Sequence, residues 1–533
     1  MIVFLIMVAI VIFACIVFNR VSNKFGIPML LVFIVLGMFF GSDGIVKISF
    51  DDYIIAEQIC TIALIFIMFY GGFGSKWSQA KPIAVRALCL SSFGTTITAG
   101  LVALFCYYFL GVDFLESFLI GAVISSTDAA SVFSILRINR LNLKYNTASL
   151  LEMESGSNDP FSYMLTMVVL SAMSGNVSID TFTILLFKQV FLGIIFGIGI
   201  ALLAHIFINN FKFSVEGFDT IFIVAVAIIS YSLPSFIGGN GYLSVYLTGL
   251  VLGNMKFKNK KSLVHFFDAT TGLMQMVLFF LLGLLSFPSQ LPKVAIPAIC
   301  IFLFLTFVAR PIAVFSILAP FKCKLKQIFI VSWSGMRGAA SIVFAIMAVT
   351  SPNITDNDIF HIVFFIVLLS ILFQGTLIPY VAKFLNMVDD EIDVMRTFTD
   401  YVEEVPIESI QFNLSKNHDW IGKEIKEIIL PPDSVLALVI RNKEKIVPKG
   451  SLVLFENDTL ILVGIAADKK NEIELYEKTI NKVDDWVDKK IADIKKEDKL
   501  IIMIKRGDKV LIPRGDTLLI DKDVVVINDL KKM

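Results

Sequence analysis

The sequence contains few charged residues and very few histidines for its length. Of its 533 residues, 17% are Asp, Glu, Lys or Arg, 56% are hydrophobic, and only 4 are histidine. So apolar a chain does not fold as an ordinary water-soluble protein, and lipid is predicted to be its main solvent. The cysteines lack metal-ligand spacing, so we interpret them as reduced packing residues: Cys15, Cys60, Cys89, Cys106, Cys300 and Cys323.

The apolar residues form about thirteen segments that could span a membrane, since a bilayer core about 30 Å thick needs roughly 20 helical residues. The first segment lacks a basic leader and a cleavage pattern, so we expect it to be retained as a helix. An all-α, multi-pass membrane domain is therefore predicted over residues 1–388. The predicted spans are 2–18, 27–41, 58–74, 83–110, 116–136, 147–173, 181–208, 218–234, 241–254, 263–286, 294–318, 327–350 and 358–384.

Basic residues are concentrated in alternate loops between these spans. Odd-numbered loops hold most of the lysines and arginines, whereas even-numbered loops are mainly acidic. Because cytoplasmic loops carry the excess of Lys and Arg, the odd-numbered loops are predicted to be cytoplasmic. With thirteen spans, the N-terminus then lies outside the cell and the C-terminal tail inside.

Polar side chains cluster in the sixth predicted span, where lipid makes ionisable groups costly. On a helix, Glu154 and Asn158 share one face, and Ser155 and Asp159 share the neighbouring face. Pro160 cannot donate to the carbonyl of the residue four positions earlier, which leaves a free acceptor beside the carboxylates. These residues predict a small oxygen-rich site on one helix.

An arginine lies between glycines in the twelfth predicted span. Arg337 would be very costly alone at this depth, so we expect a buried carboxylate partner, with Glu154 as first choice and Asp128 as second. Asp128 follows Thr127 in the fifth span, which lies seven spans before the twelfth and thus runs in the opposite direction. This spacing is typical of inverted repeats that contain paired interrupted helices.

At these residues the chain resembles the cation:proton antiporter superfamily, in its NhaP-like branch with an Asn-Asp site. The resemblance covers essentially residues 1–387. It rests on the stretches SSTDAASVFSIL, LEMESGSNDPF, GGNGYLSVYLTGLVLGN and SGMRGAASIVFAI.

The resemblance implies a role for each matching residue. Asp159 would alternately bind the cation and the proton, with Asn158 beside it, and Thr127 and Ser155 would contribute oxygen ligands. Glu154 would lie at the same site.

The resemblance also implies a structural framework around that site. Asp128 would compensate the crossed, unwound helices, and Arg337 would pair with Glu154. Such antiporters work by an elevator-like movement of a core domain against a dimerisation domain, so a homodimer is expected. Asparagine at position 158 implies electroneutral, one-for-one exchange.

The sequence changes character after about residue 389, where charged segments alternate with short Val/Ile/Leu-rich strands. An approximate tandem repeat predicts two lobes, 389–475 and 476–533. The first is similar to the RCK_C (TrkA-C) lobe of potassium-conductance regulators, and the second resembles a divergent copy. No GxGxxG motif occurs in the tail, so NAD sensing is not expected. Related lobes can bind cyclic di-AMP, which makes such a ligand one possibility and a ligand-free dimerisation module the other.

The sequence therefore predicts a bacterial plasma-membrane antiporter that exchanges K⁺, Na⁺ or both for protons, with no cofactor and no nucleic-acid partner. The regulator lobe favours potassium. A cation channel is the main alternative, but the sequence contains no TVGYG-type filter loop. A membrane-embedded enzyme is not expected, because no nucleophile with a base, second catalytic aspartate or metal cluster accompanies Asp159.

Overall fold

The computed structural model divides the chain into two compact units, Met1–Val402 and Glu403–Met533. It describes five scattered helical positions between residues 9 and 17, and then the ranges 29–75, 77–139, 141–175, 179–211, 217–255, 260–352, 357–389, 407–416, 418–431, 434–441, 444–465, 475–481, 484–494, 499–506, 509–511 and 513–529.

The described part of the first unit is helical wherever it forms a named helix or strand. In chain order its helices are α1 Met29–Phe40, α2 Tyr53–Gly74, α3 Trp77–Ala80, α4 Ala84–Leu110, α5 Phe114–Val123, α6 Ala129–Ile138, α7 Thr147–Met173, α8 Ile179–Asn210, α9 Phe218–Phe236, α10 Gly241–Gly253, α11 Lys260–Leu285, α12 Leu291–Leu318, α13 Leu325–Trp333, α14 Ala339–Thr350 and α15 Ile359–Phe384.

Seven helices in the described part of the chain are long and apolar enough to cross a membrane, and four shorter apolar helices accompany them. The predicted multi-pass helical fold is therefore confirmed. The count of thirteen spans stays a prediction, because most of the predicted first span, 2–18, lies outside the described residues.

Two of the predicted spans are interrupted near their middle. Helices α5 and α6 are separated by residues 124–128, and helices α13 and α14 by residues 334–338. The two breaks touch, because the backbone N–H of Asp128 donates to the carbonyl of Met336 at 2.8 Å. Unwound backbone is tolerated inside a membrane only where protein groups satisfy it, and here each break satisfies the other. The predicted crossed, interrupted helices are confirmed.

The helices before and after each break also correspond. Helices α4 and α12, which precede the two interrupted pairs, each contain a π-helical turn, at Leu90–Gly94 and Leu305–Ala309. Each interrupted pair is followed by one long helix, α7 or α15, and α15 contains a third π-helical turn at Ser370–Gly375. This correspondence fits the predicted inverted repeat.

Helices α2 and α10 approach each other closely through glycine. A Cβ atom on Gly249 would overlap with the carbonyl of Phe69, and one on Gly253 would overlap with that of Phe73. Small residues four positions apart allow two membrane helices to pack backbone against backbone. Helix α10 is thereby held on one side by α2 and is also packed against α8 and α9.

The second unit contains two lobes, each built on a four-stranded antiparallel sheet. The strands are β1 Ile407–Asn413, β2 Ser434–Arg441, β3 Glu444–Ile446, β4 Thr459–Ile465, β5 Leu475–Thr479, β6 Lys499–Arg506, β7 Lys509–Leu511 and β8 Val524–Asp529. The first sheet has the strand order β1-β4-β2-β3 and the second β5-β8-β6-β7.

The two lobes repeat one another in detail as well as in topology. Arg441 pairs with the fully buried Asp458 at 2.7 Å, and Arg506 pairs with the fully buried Asp523 at 2.8 Å. The partners are 17 residues apart in both cases. Burial alone would raise the pKa of each aspartate, but the hydrogen bonds from its arginine and from a backbone N–H hold that pKa below the ordinary value. The same buried pair thus anchors both lobes.

Candidate functional site

Helix α7 carries the polar side chains predicted for the site. It runs unbroken from Thr147 to Met173 with Pro160 inside it. Because proline has no N–H, the helix lacks one backbone hydrogen bond at this turn. The turn that carries Asp159 therefore depends on contacts with other helices for its position.

Asp159 faces the break between α5 and α6. The hydroxyl of Ser126 donates a short hydrogen bond to Oδ1 of Asp159. Over the described ranges of the chain, no Lys, Arg or His nitrogen forms an ion pair with this carboxylate. Among the described residues, Asp159 thus has a neutral hydroxyl partner and no counterion.

Three further predicted residues meet at the same break. Nδ2 of Asn158 donates to the hydroxyl of Thr127 at 2.5 Å, and the hydroxyl of Ser155 donates to the carbonyl of Thr127 at 2.7 Å. All three side chains are buried. The structure therefore brings Ser155 and Asn158 of helix α7 together with Thr127 of the break, beside Asp159, and the three residues supply hydroxyl, amide and carbonyl oxygens.

Glu154 has a different partner from the one predicted. Its two oxygens accept from Nη2 of Arg310 at 2.7 and 2.9 Å, and both side chains are buried. The predicted pair of Glu154 with Arg337 is wrong. Arg310 begins the helical segment that follows the π-helical turn of α12, and this places its guanidinium against α7.

Arg337 instead binds backbone carbonyls in the break between α5 and α6. Its Nη1 donates to the carbonyls of Ser125 and Ser126 at 2.7 and 2.8 Å. These carbonyls follow the C-terminal end of α5, where the helix dipole is negative and the oxygens have no helical donor. In the part of the chain that the structure describes, no ion pair joins Arg337 to Glu154 or to Asp128, its second predicted partner.

Asp128 lies where two helices begin. It precedes α6, and its carboxylate accepts from the backbone N–H of Ser131 at 3.2 Å and from that residue's hydroxyl. The same carboxylate packs against Gly338, where α14 begins: a Cβ atom there would lie 2.5 Å from Oδ2 of Asp128. A carboxylate at two helix N-termini and an arginine at a helix C-terminus balance the dipoles of the crossed half-helices.

Two contact residues of the site were missed from the sequence. Arg310 lies inside the predicted span 294–318, and the cost argument that singled out Arg337 applies to it equally. Ser126 lies within the quoted stretch SSTDAASVFSIL, but no helical spacing distinguishes it from its neighbour Ser125. Only the shape of the unwound segment decides which serine reaches Asp159.

The donor set suits a monovalent cation. Within the described ranges, no group of three His, Cys, Asp or Glu side chains is placed to hold a metal ion. Asp159 and its neighbours offer a single carboxylate together with hydroxyl, amide and carbonyl oxygens. Such oxygens are hard ligands, and one uncompensated carboxylate can be neutralised by one monovalent cation or by one proton.

Comparison with known families decides where the chain belongs. Residues 8–384 match the family described as sodium/hydrogen exchanger, transmembrane, and residues 410–469 match the TrkA-C domain. The chain belongs to the sodium/hydrogen exchanger family. The family match covers the whole described helical unit up to the end of α15, and the TrkA-C match falls on the first tail lobe.

Relatives of this exchanger include two bacterial proteins of similar length. It is 33% identical over 453 residues to the K(+)/H(+) antiporter NhaP2 of Shewanella sp. (strain MR-4), which covers 84% of this chain and 78% of the relative. It is 32% identical over 457 residues to the K(+)/H(+) antiporter NhaP of Alkalimonas amylolytica, covering 85% and 79%.

A solved structure supports the fold of the exchanger. The sodium proton antiporter MjNhaP1 from Methanocaldococcus jannaschii at pH 8 superposes with a TM-score of 0.63 at 25% sequence identity, over 72% of this chain and 99% of that one. The predicted NhaP-like architecture is thereby confirmed.

Proposed function

We propose that this protein is a secondary transporter, not an enzyme, that exchanges one monovalent cation for one proton at Asp159. The observation that carries the proposal is the contrast within α7, where Glu154 is neutralised by Arg310 and Asp159 has no counterion among the residues that the structure describes. The relatives named as K(+)/H(+) and sodium proton antiporters support cation/proton exchange.

Exchange follows from competition for a single carboxylate. Protonation and cation binding both neutralise Asp159, and either ligand excludes the other. An empty, charged site crosses the low-dielectric interior poorly, whereas a loaded site is neutral. Movement restricted to the loaded states couples the two fluxes.

The charges at the site support electroneutral exchange. Position 158 is asparagine, whose amide is bonded to Thr127 and carries no titratable proton. Glu154 is bound by a full positive charge. The Asp128 carboxylate is engaged at the N-termini of α6 and α14. Asp159 is therefore the carboxylate proposed to change its charge state, which gives one cation for one proton.

Potassium is the proposed physiological cation, with sodium as a second substrate. Both bacterial relatives above are named as K(+)/H(+) antiporters, and the tail carries a TrkA-C domain. A transport assay in Na⁺, K⁺, Rb⁺ and Li⁺ tests this directly; a Li⁺ or Na⁺ preference of the wild-type protein contradicts it.

Transport is proposed to follow an elevator-like movement in a homodimer. The interrupted pairs and α7 form one group of packed helices, and α1, α2, α8, α9, α10 and α11 form another. Each group packs more extensively within itself than against the other, as a moving core and a fixed scaffold require.

The tail is proposed to regulate exchange from the cytoplasm. Met387 and Asp389 lie just before the tail. The carbonyl of Met387 accepts from the N–H of Lys144, and the N–H of Asp389 donates to the carbonyl of Asn142, both at 2.9 Å. The segment that leads to the tail is thus paired with the loop between α6 and the site helix α7.

A protein truncated after residue 389 is expected to show an altered transport rate or pH profile. Cyclic di-AMP is a candidate ligand for the full chain. Identical transport by the truncated protein contradicts regulation.

Proteoliposomes with an imposed pH gradient test the proposed site. Asp159→Ala should abolish cation-dependent proton movement while the protein stays monodisperse. Asp268→Asn is the matched control, because Asp268 lies in α11 and accepts from Tyr70. Robust exchange by Asp159→Ala contradicts the proposal.

A further inference from the structure

Asn240 connects three helices beside the site. It is 1% exposed. Its Nδ2 donates to the carbonyl of Pro160 on α7 at 2.8 Å, its Oδ1 accepts from the N–H of Leu243 in the first turn of α10 at 3.0 Å, and its own N–H donates to the carbonyl of Gln189 on α8 at 3.1 Å. Its hydrogen bonds thus link α7, α8 and α10.

Helix α10 also contacts α7 on both sides of Pro160. The rings of Tyr242 and Tyr163 form an edge contact with centroids 5.0 Å apart. Toward the other end, a Cβ atom on Gly156 would lie 2.5 Å from the ring of Tyr246. The turn of α7 that carries Asp159 therefore lies between two aromatic contacts, and Asn240 supplies the polar contact at that turn.

The hydrogen bond from Asn240 matters for the position of Asp159 because its acceptor is a proline. The residue directly follows Asp159, and its missing N–H removes one of the helical bonds that would otherwise fix the turn. A buried side-chain donor on its carbonyl replaces part of that constraint. Because α10 is itself held against α2 through glycine, the bond ties the turn that carries Asp159 to the scaffold helices in the state that this structure shows.

We propose that Asn240 is a positioning residue, which sets the cation affinity of Asp159 by fixing the Pro160 carbonyl. This inference rests on the proposed role of Asp159. Asn240 also caps α10, and substitution separates the two roles. Serine is a good helix cap but is too short to reach Pro160, whereas alanine serves neither purpose.

The experiment measures cation-driven proton movement in proteoliposomes, as apparent KM, maximal rate and pH profile. Asn240→Ser should raise the KM for K⁺ roughly three- to tenfold, the effect expected from loss of one buried hydrogen bond. Since protons then compete more effectively, the midpoint of acid inhibition at fixed K⁺ should move to higher pH. The maximal rate should change less than the KM.

Asn254→Ser is the matched control. Asn254 follows the same helix, α10, and its amide donates to the carbonyl of Ser75 at 2.9 Å instead of to α7. This variant should retain the wild-type KM and pH midpoint. Asn240→Asp, which keeps the cap and the shape but cannot donate when ionised, provides a second reading if the serine variant does not fold.

Two results would overturn the proposal. The first is a wild-type KM and pH midpoint in Asn240→Ser, which together with a shift in Asn240→Ala would reduce Asn240 to a cap. The second is an equal shift in Asn254→Ser. Asp159→Ala is measured in parallel, and exchange by that variant would contradict the proposed function itself. If Asp159→Ala is inactive and Asn240→Ser keeps the wild-type KM and pH midpoint, only the role of Asn240 is contradicted.

Discussion

Two turns of the same helix treat a buried carboxylate in opposite ways. Both oxygens of Glu154 accept from Arg310. Asp159, five positions later, accepts from the hydroxyl of Ser126 and meets no positive charge in the described part of the chain. A paired carboxylate in a low-dielectric interior keeps its charge, because protonation would strand the arginine. An unpaired one gains from any ligand that neutralises it. The pairing makes the first turn structural, and the second turn carries the carboxylate at which we propose that the ligands exchange.

The contrast between the two carboxylates fails if the pair of Glu154 and Arg310 is not needed for stability. Arg310→Met leaves the fully buried Glu154 carboxylate without its partner, and is expected to cost about 3–5 kcal/mol of stability. Thermal unfolding by fluorescence-detected size exclusion measures the loss. The double variant with Glu154→Gln should recover much of it. A single variant as stable as wild type would show that Glu154 does not depend on this partner.

Arg337 should matter less for stability than Arg310, because its partners are carbonyl dipoles and not a full charge. Arg337→Met is expected to lose about 2–3 kcal/mol through the unsatisfied carbonyls of Ser125 and Ser126. Arg337→Lys, which keeps the charge, should lose less. The same unfolding assay ranks the two arginines, and a larger loss at Arg337 would reverse the comparison.

The pair can also be disturbed without removing either partner. A Cβ atom on Gly335 would lie 2.6 Å from Nε of Arg310. Gly335→Ala is therefore expected to cost about 1–3 kcal/mol through overpacking. Gly272→Ala is the control, since a Cβ atom there meets nothing within 4 Å. Equal melting temperatures for the two variants would show that Arg310 can move away freely.

The smallest expected loss of stability is in the first tail lobe, where the pair of Arg441 and Asp458 lies close to solvent. The lowered pKa of Asp458 means that its pair with Arg441 stabilises the lobe above the unfolded-state pKa, about 3.9, and that this contribution is lost as the pH falls through the folded-state value. A protein that keeps Trp420 as its only tryptophan reports on this lobe by fluorescence. Asp458→Asn should remove the acid transition and cost about 1 kcal/mol at neutral pH; an unchanged transition would assign it to other groups.

Helical spacing and the cost of polar groups in lipid predicted much of the site. They placed Asn158, Ser155 and Asp159 on adjoining faces of one helix, and the odd offset between spans predicted the crossed breaks. The tail repeat was visible because both lobes keep the same strands and turns at matching positions. These features depend on residues close together in sequence or on a simple count of spans.

Partners across helices could not be predicted in the same way. The cost argument shows that Arg337 needs compensation but does not show that backbone carbonyls provide it. Arg310 reaches Glu154 across 156 positions of sequence because a π-helical turn precedes it. Asn240 reaches Pro160 across 80 positions. Such contacts depend on how helices are rotated against one another, and the sequence pattern leaves that rotation open.

Proton release on cation binding tests the central claim most directly. Purified protein in weakly buffered solution is titrated with KCl, with choline chloride as the ionic-strength control, at a pH where Asp159 is largely protonated. We predict the release of up to one proton per protomer in the wild type and in Asp268→Asn, and none in Asp159→Asn. Undiminished release by Asp159→Asn would contradict exchange at this carboxylate.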